Sequence, residues 1–178
     1  MRKLKNEELN RLSLEEFKKA EKIPMVLILD DVRSLNNVGS AFRTADAFLL
    51  AKIYLCGITG QPPHREINKT ALGATESMRW EYHKSSLEVV QKLRDQGYTI
   101  LAIEQVDLGV PLQHYLPATQ KLALIFGNEI SGVKEELLHL ADEILEIPQF
   151  GTKHSLNISV SIGIVVWDLV NKLKVLHS

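Results

Sequence analysis

The chain has a single cysteine, no excess of either charge and no unbroken apolar run long enough to cross a bilayer. Each of these absences excludes something. With Cys56 alone no disulfide can form within the chain, and its place at the end of the apolar run Ile53 to Cys56 reads as a buried structural thiol. Lysine and arginine number 21 against 22 aspartates and glutamates. That balance argues against nucleic-acid binding through overall charge and leaves a local basic face open. The longest apolar stretch, Ile158 to Val170, is interrupted by Ser159, Ser161, Gly163 and Asp168 and falls short of a membrane span. Met1 to Glu8 lack the apolar core of a secretory signal. The expectation is a cytoplasmic protein with no membrane partner.

Several ligand motifs are missing as well. No G-x-G-x-x-G follows a strand, no Walker lysine motif is present, and G-x-S-x-G is absent. The six histidines (His64, His83, His114, His139, His154 and His177) have neither metal-ligand spacing nor cysteine partners, so they read as surface or loop residues and no metal is expected. Internal repeats, low-complexity tracts and linkers rich in Gly or Ser are lacking. A length of 178 residues with 45% hydrophobic content suits one domain spanning 1–178.

What is present is an alternation of strand and helix patterns. Residues 1–22 form a charged extension in which Leu9, Leu12, Leu14 and Phe17 predict an amphipathic helix over Asn6 to Lys22. Behind Pro24, Met25 to Asp30 is a continuous apolar run typical of a strand buried on both faces. Val38, Ala41, Phe42, Ala45, Phe48 and Leu49 follow at helical spacing. Strands are expected at Lys52 to Cys56, Arg79 to His83, Tyr98 to Glu104, Lys121 to Phe126 and Glu143 to Ile147. Helices are expected at His64 to Gly73, Ser85 to Arg94, Val133 to Ala141 and Asn157 to Lys174. Repeated βα units with apolar strands predict an α/β fold: a mostly parallel sheet with helices on both faces.

Three polar segments stand at strand ends, where parallel α/β sheets bind ligands. The first runs from Asp30 to Arg43, with Asn36 or Asn37 as the expected N-cap and with Gly39 and Arg43 four residues apart on one helix face, open to an anion or ribose-phosphate. The second, Gly127-Asn-Glu-Ile-Ser-Gly, places Glu129 to cap a helix, to pair with a base such as Arg43 or to accept a ligand hydroxyl. The third leaves a strand at Pro148, turns at Gly151 and restarts a helix at Ser155 or Asn157. There Ser155, Ser159 and Gly163 form a strip of small residues, with Ser159 and Gly163 expected to serve tight helix packing.

Taken together, Asn37-Val-Gly-Ser-Ala-Phe-Arg43, Phe126-Gly-Asn-Glu-Ile-Ser-Gly and Ile147-Pro-Gln-Phe-Gly through Ser155-Leu-Asn-Ile-Ser-Val resemble the three signature motifs of the SpoU/TrmH-type RNA ribose methyltransferases of the SPOUT class. Their order, spacing and strand context match from about Pro24 to the C-terminus. The resemblance implies a C-terminal deep trefoil knot, which general folding rules would not supply, and a homodimer whose active site is completed across the interface. It implies transfer of a methyl group from S-adenosylmethionine to a ribose 2′-hydroxyl of RNA, and the compactness of the chain favours tRNA over rRNA. Arg43 would stabilise the developing alkoxide, while Asn37, Glu129, Ser155 and Asn157 complete the catalytic set. Ile103, Glu104, Gly127, Asn128, Ile147, Ser155 and Leu156 would hold the cofactor. The alternatives are a methyltransferase acting on a base nitrogen and a SPOUT-fold RNA-binding protein without catalysis. Arg2, Lys3, Lys5, Arg11, Lys18, Lys19 and Lys22 offer extra RNA contacts, although interleaved glutamates favour a solvated face.

Overall fold

Apolar strands that alternate with amphipathic helices leave both faces of a sheet to be covered, and the computed structural model, which describes residues 1–175, shows how this is met. A 3-10 turn (Asn6–Leu9) and α1 (Leu14–Lys19) precede β1 (Ile23–Asp30), α2 (Leu35–Ala47) and β2 (Leu50–Cys56). Then follow α3 (Arg65–Ala71), α4 (Ala74–Ser77), β3 (Trp80–His83), α5 (Ser86–Asp95) and β4 (Thr99–Ile103). Next come β5 (Val110–Pro111), a 3-10 turn at Leu112–His114, β6 (Leu122–Phe126), α6 (Glu135–Leu138), β7 (Glu143–Glu146) and α7 (Ile158–Val175). The strands form one seven-stranded sheet in the order β3-β2-β1-β6-β4-β7-β5. Every pairing is parallel.

The period-2 alternation of the strands divides the core in two. Met25, Leu27 and Leu29 of β1 face the larger cluster, which Phe17, Phe42, Ile67, Val166 and Leu169 complete from α1, α2, α3 and α7. Val26 and Ile28 face the opposite cluster, with Val89, Val90 and Leu93 of α5 and Leu137 of α6. The expected double coverage of the sheet is therefore present.

Local boundaries differ from expectation in several places, each for a physical reason. The helix expected over Asn6 to Lys22 breaks into two pieces, because Asn10 adopts the left-handed conformation (φ 46°) and Ser13 caps α1 in a reciprocal box with Glu16. The N-cap of α2 is Ser34, whose hydroxyl accepts from the Asn37 amide, and not Asn36 or Asn37. The pattern expected to be helical from Val133 to Ala141 yields only Glu135–Leu138. Among the histidines, His64 caps α3 and His83 lies on β3 beside Glu81; His177 lies outside the described residues.

One connection shapes the functional edge. Ile103 pairs with Leu145 and Val110 pairs with the same Leu145, so β7 lies between β4 and β5. Residues 104–109, which join β4 to β5, thus straddle the carboxyl end of β7. The chain leaving β7 at Ile147 passes beside this bridge, and Gln105 Nε2 donates to the His154 carbonyl at 2.9 Å.

Candidate active site

The carboxyl ends of β1, β6, β4 and β7 are neighbours in the sheet, and the loops that leave them build one site. A cavity of about 720 Å³ opens there, within the ~300–1,000 Å³ common for small-molecule sites. Its walls come chiefly from 103–106, 126–133, Ile147, Gln149 and 154–158. All seven residues expected to hold a cofactor line it: Ile103, Glu104, Gly127, Asn128, Ile147, Ser155 and Leu156. Glu129, Ser155 and Asn157 of the expected catalytic set line it too. Asn37 and Arg43 do not.

The second loop is folded on itself. Asn128 and Gly132 exchange both main-chain hydrogen bonds, at 3.0 and 2.9 Å, and Asn128 Oδ1 accepts from the amides of Ile130 and Ser131. Glycine is needed at both ends. A Cβ on Gly127 would stand 2.2 Å from the Gly132 carbonyl oxygen, and Gly132 has φ 70° with the Glu104 carboxylate 2.2 Å from where its Cβ would be. Glu104 is itself tied to this loop, with Oε2 accepting from the Val133 amide at 2.8 Å and Oε1 from the Gln105 amide at 2.9 Å. It lines the cavity and is held there by main-chain partners.

Glu129 joins the second loop to the first. Oε2 accepts from the Arg33 amide (2.9 Å), while Oε1 accepts from the Ser34 amide (3.0 Å) and from Asn37 Nδ2 (3.0 Å). Burial works against its charge, but these three donors prevail and hold its carboxyl below the ordinary range. Of the partners the sequence offered Glu129, the structure gives it the amides ahead of α2 and the Asn37 side chain and not the base Arg43. Arg43 is exposed on α2 and has no hydrogen bond or ion pair among the described residues.

Two further readings change. Gly39 does not open α2 to a ligand: it is buried against α3, where a Cβ would meet Thr70 Oγ1 at 2.1 Å and the Ile67 carbonyl oxygen at 2.2 Å. Gly163, expected to pack tightly, faces open space, and a Cβ added to it would meet no atom within 4 Å. Asn157 does begin the last helix. Its Oδ1 accepts from the Ser159 amide (2.8 Å) and hydroxyl (2.6 Å), and its carbonyl accepts from the amides of Val160 and Ser161. Ser155 lines the cavity, and its hydroxyl makes no hydrogen bond among the described residues.

Sequence reasoning missed the main-chain donors of Arg33 and Ser34, since no residue type signals a free amide. It also missed Lys134, whose ammonium bridges Asp30 Oδ1 (3.0 Å) and Asp31 Oδ2 (2.7 Å). The signal was available: two acidic residues at the end of a buried strand require a cation. Lys134 lowers the Asp31 carboxyl, and both aspartates raise the Lys134 ammonium against the opposing effect of burial. Nearby, burial chiefly pushes the Cys56 thiol up to about 12, which fits an inert structural cysteine. Among the described residues no group of three or more His, Cys, Asp or Glu side chains could hold a metal ion, and no helix is long and apolar enough to cross a membrane.

The wholly parallel sheet and the ligand-sized cavity walled by its strand-end loops define an α/β protein with its candidate site at the carboxyl edge, where such sheets bind ligands. The model of the SpoU rRNA methylase family matches residues 24–167, and the chain belongs to that family. It is 30% identical over 148 residues to a tRNA (guanosine(18)-2′-O)-methyltransferase of Aquifex aeolicus, an alignment covering 81% of this chain and 67% of the relative. Its fold is similar to that of the A. aeolicus TrmH/SpoU tRNA modifying enzyme, with TM-score 0.82 at 22% identity over 92% of this chain and 84% of that one. It is also similar to the AdoMet-bound rRNA methyltransferase of Sinorhizobium meliloti, with TM-score 0.77 at 25% identity, covering 85% of this chain and 58% of the other.

Proposed function

We propose that this chain transfers a methyl group from S-adenosylmethionine to a ribose 2′-hydroxyl of RNA, tRNA before rRNA, as a cytoplasmic homodimer. The observation that carries this reading is the single cavity edge shared by all seven expected cofactor residues and joined through Glu129 to the helix of Asn37 and Arg43. The cavity fits the cofactor in chemistry as well as size. Ile103, Phe126, Leu145 and Ile147 give apolar walls, the 127–132 main chain gives polar ones, and the Glu104 carboxylate suits a ligand that carries positive charge.

Bound there, S-adenosylmethionine would supply a methyl group already activated on a sulfonium, so the chain need not activate the donor. The chain's own residues must position the ribose and accommodate the charge that develops on its oxygen. Arg43 is the one catalytic-set residue with a full positive charge, and its guanidinium can stabilise the nascent alkoxide while remaining protonated. Glu129 and Asn37 fix the first turn of α2, which sets where Arg43 projects, and Asn157 fixes the start of α7. Arg43 stands outside the lining of the cavity in its own protomer, which supports a site completed by a second copy. The bridge of residues 104–109 over the end of β7 supports the trefoil knot that the family resemblance implies.

Arg43→Ala should lower methyl transfer by at least about a hundredfold while the calorimetric affinity for S-adenosylmethionine stays within about twofold. Unchanged turnover would remove Arg43 from the mechanism. A wild-type protein that gives no binding heat with the cofactor would favour the non-catalytic RNA-binding alternative.

A further inference from the structure

We infer that Lys134 is a positioning residue, whose ammonium docks the 127–134 loop onto the 30–37 segment and so holds Glu129 on Asn37. The reaction it serves is the methyl transfer proposed above, while the docking itself stands on geometry. The two segments leave neighbouring strands, β6 and β1, and are joined at three points. At the start of the loop Asn128 Nδ2 donates to the Asp31 carbonyl at 2.7 Å. In the middle Glu129 takes the amides of Arg33 and Ser34 and the Asn37 side chain. At the end Lys134 reaches back to Asp30 and Asp31. Because Asn128 and Gly132 close the intervening residues into one unit, fixing both ends fixes Glu129 between them.

The aspartates are a firm anchor. Asp30 is fully buried, and its Oδ2 has no hydrogen-bond partner among the described residues, so the Lys134 contact at Oδ1 is its counter-charge. Asp31 turns the chain in the left-handed conformation (φ 54°), and its Oδ1 accepts from the Ile58 amide at 2.9 Å. Gly57 lies so close that a Cβ would come within 1.9 Å of the same oxygen. Asp31 therefore cannot swing to follow Lys134, and the loop must come to the aspartate. The packing of α6 does not need this ion pair, since Val133 and Leu137 already anchor it in the core. The ammonium is directed to the strand end beneath the Glu129 loop.

The test uses the full chain as wild type, Lys134→Met and Lys134→Arg, with amide hydrogen exchange read by NMR and turnover read with S-adenosylmethionine and an unmodified tRNA transcript. In Lys134→Met the Arg33 and Ser34 amides should exchange at least about tenfold faster while those of Leu27 and Leu124 keep their rates. The same variant should lose about tenfold in kcat, and Lys134→Arg should recover most of both the exchange protection and the turnover. Unchanged exchange at Arg33 and Ser34 in folded Lys134→Met overturns the docking. Faster exchange with unchanged kcat overturns the positioning role. If Lys134→Met does not fold, Asp31→Asn weakens the same contact and must show the same two effects. A wild-type protein that methylates no RNA would sink the functional reading, and the exchange rates would still decide the docking.

Discussion

At position 39 a hydrogen is the largest side chain that α2 and α3 can accommodate. The Thr70 hydroxyl could rotate away from a new methyl group, but the Ile67 carbonyl oxygen at 2.2 Å belongs to the backbone of α3 and cannot. Gly39→Ala should therefore force the helices apart and destabilise the protein by about 1–3 kcal/mol despite the better helix propensity of alanine, measurable as a lower midpoint in urea. The displacement would also carry Asn37, on the same helix, away from Glu129. The residue scale is where the sequence was most and least readable. Strand-end loops with Gly and Asn announced a ligand edge, and a cavity lies there, while the particular residues proposed for it came from the family resemblance. Gly39 was not legible, because a missing side chain looks the same whether it makes room for a ligand or for another helix. Lys134 was hidden by distance, since its partners lie about a hundred residues earlier in the chain.

Elements follow the same logic. The strand assignments stand because apolar runs bounded by polar turns leave little choice, whereas helix ends moved wherever a cap or a left-handed residue competed with periodicity, as Ser34 and Asn10 did. The short β5 was not legible, since Val110 and Pro111 carry no period at all. Edge strand β3 shows how an element with little buried surface is secured. Its Glu81 pairs with Lys52 of β2 at 2.6 Å, with His83 of its own strand at 3.2 Å and with Lys92 of α5 at 3.6 Å. The hydrogen bond from Lys52, then that with His83, lowers the Glu81 carboxyl from 4.5 to about 2. A carboxyl depressed in the folded state contributes stability that is fully present above its unfolded value and is lost as pH falls through the folded one. Glu81→Gln should thus melt below wild type at neutral pH, with the gap narrowing from about 4.5 downward and closing near 2. Circular dichroism melts at stepped pH would show it, and a gap independent of pH would mean that Glu81 acts by packing rather than charge.

At the scale of the whole molecule, the proposed knot and the proposed second copy are what periodicity cannot reach. A hydrophobic pattern reports which face of an element is covered, and says nothing of what passes beneath a loop or which chain does the covering. The outer side of α7 makes the point. Its inner residues Ile162, Val165, Val166, Leu169 and Val170 are buried in the core. Val160, Ile164 and Trp167, at i, i+4 and i+7, remain 48%, 37% and 59% exposed, and Gly163 lies open beside them. Among the described residues Trp167 has one aromatic neighbour, the Phe48 ring at 6.1 Å between centroids. An apolar stripe with a flat, small centre suits close approach of another helix. If that helix belongs to a second copy, Ile164→Glu should place a charge in the interface without disturbing the core beneath it. Sedimentation equilibrium should then shift the variant from dimer to monomer. Methyl transfer should fall with dimer content, because Arg43 lies outside the cavity of its own protomer. A monomeric variant with full turnover would show instead that one chain holds a complete site, and Arg43 would then have to reach the cavity along its own α2.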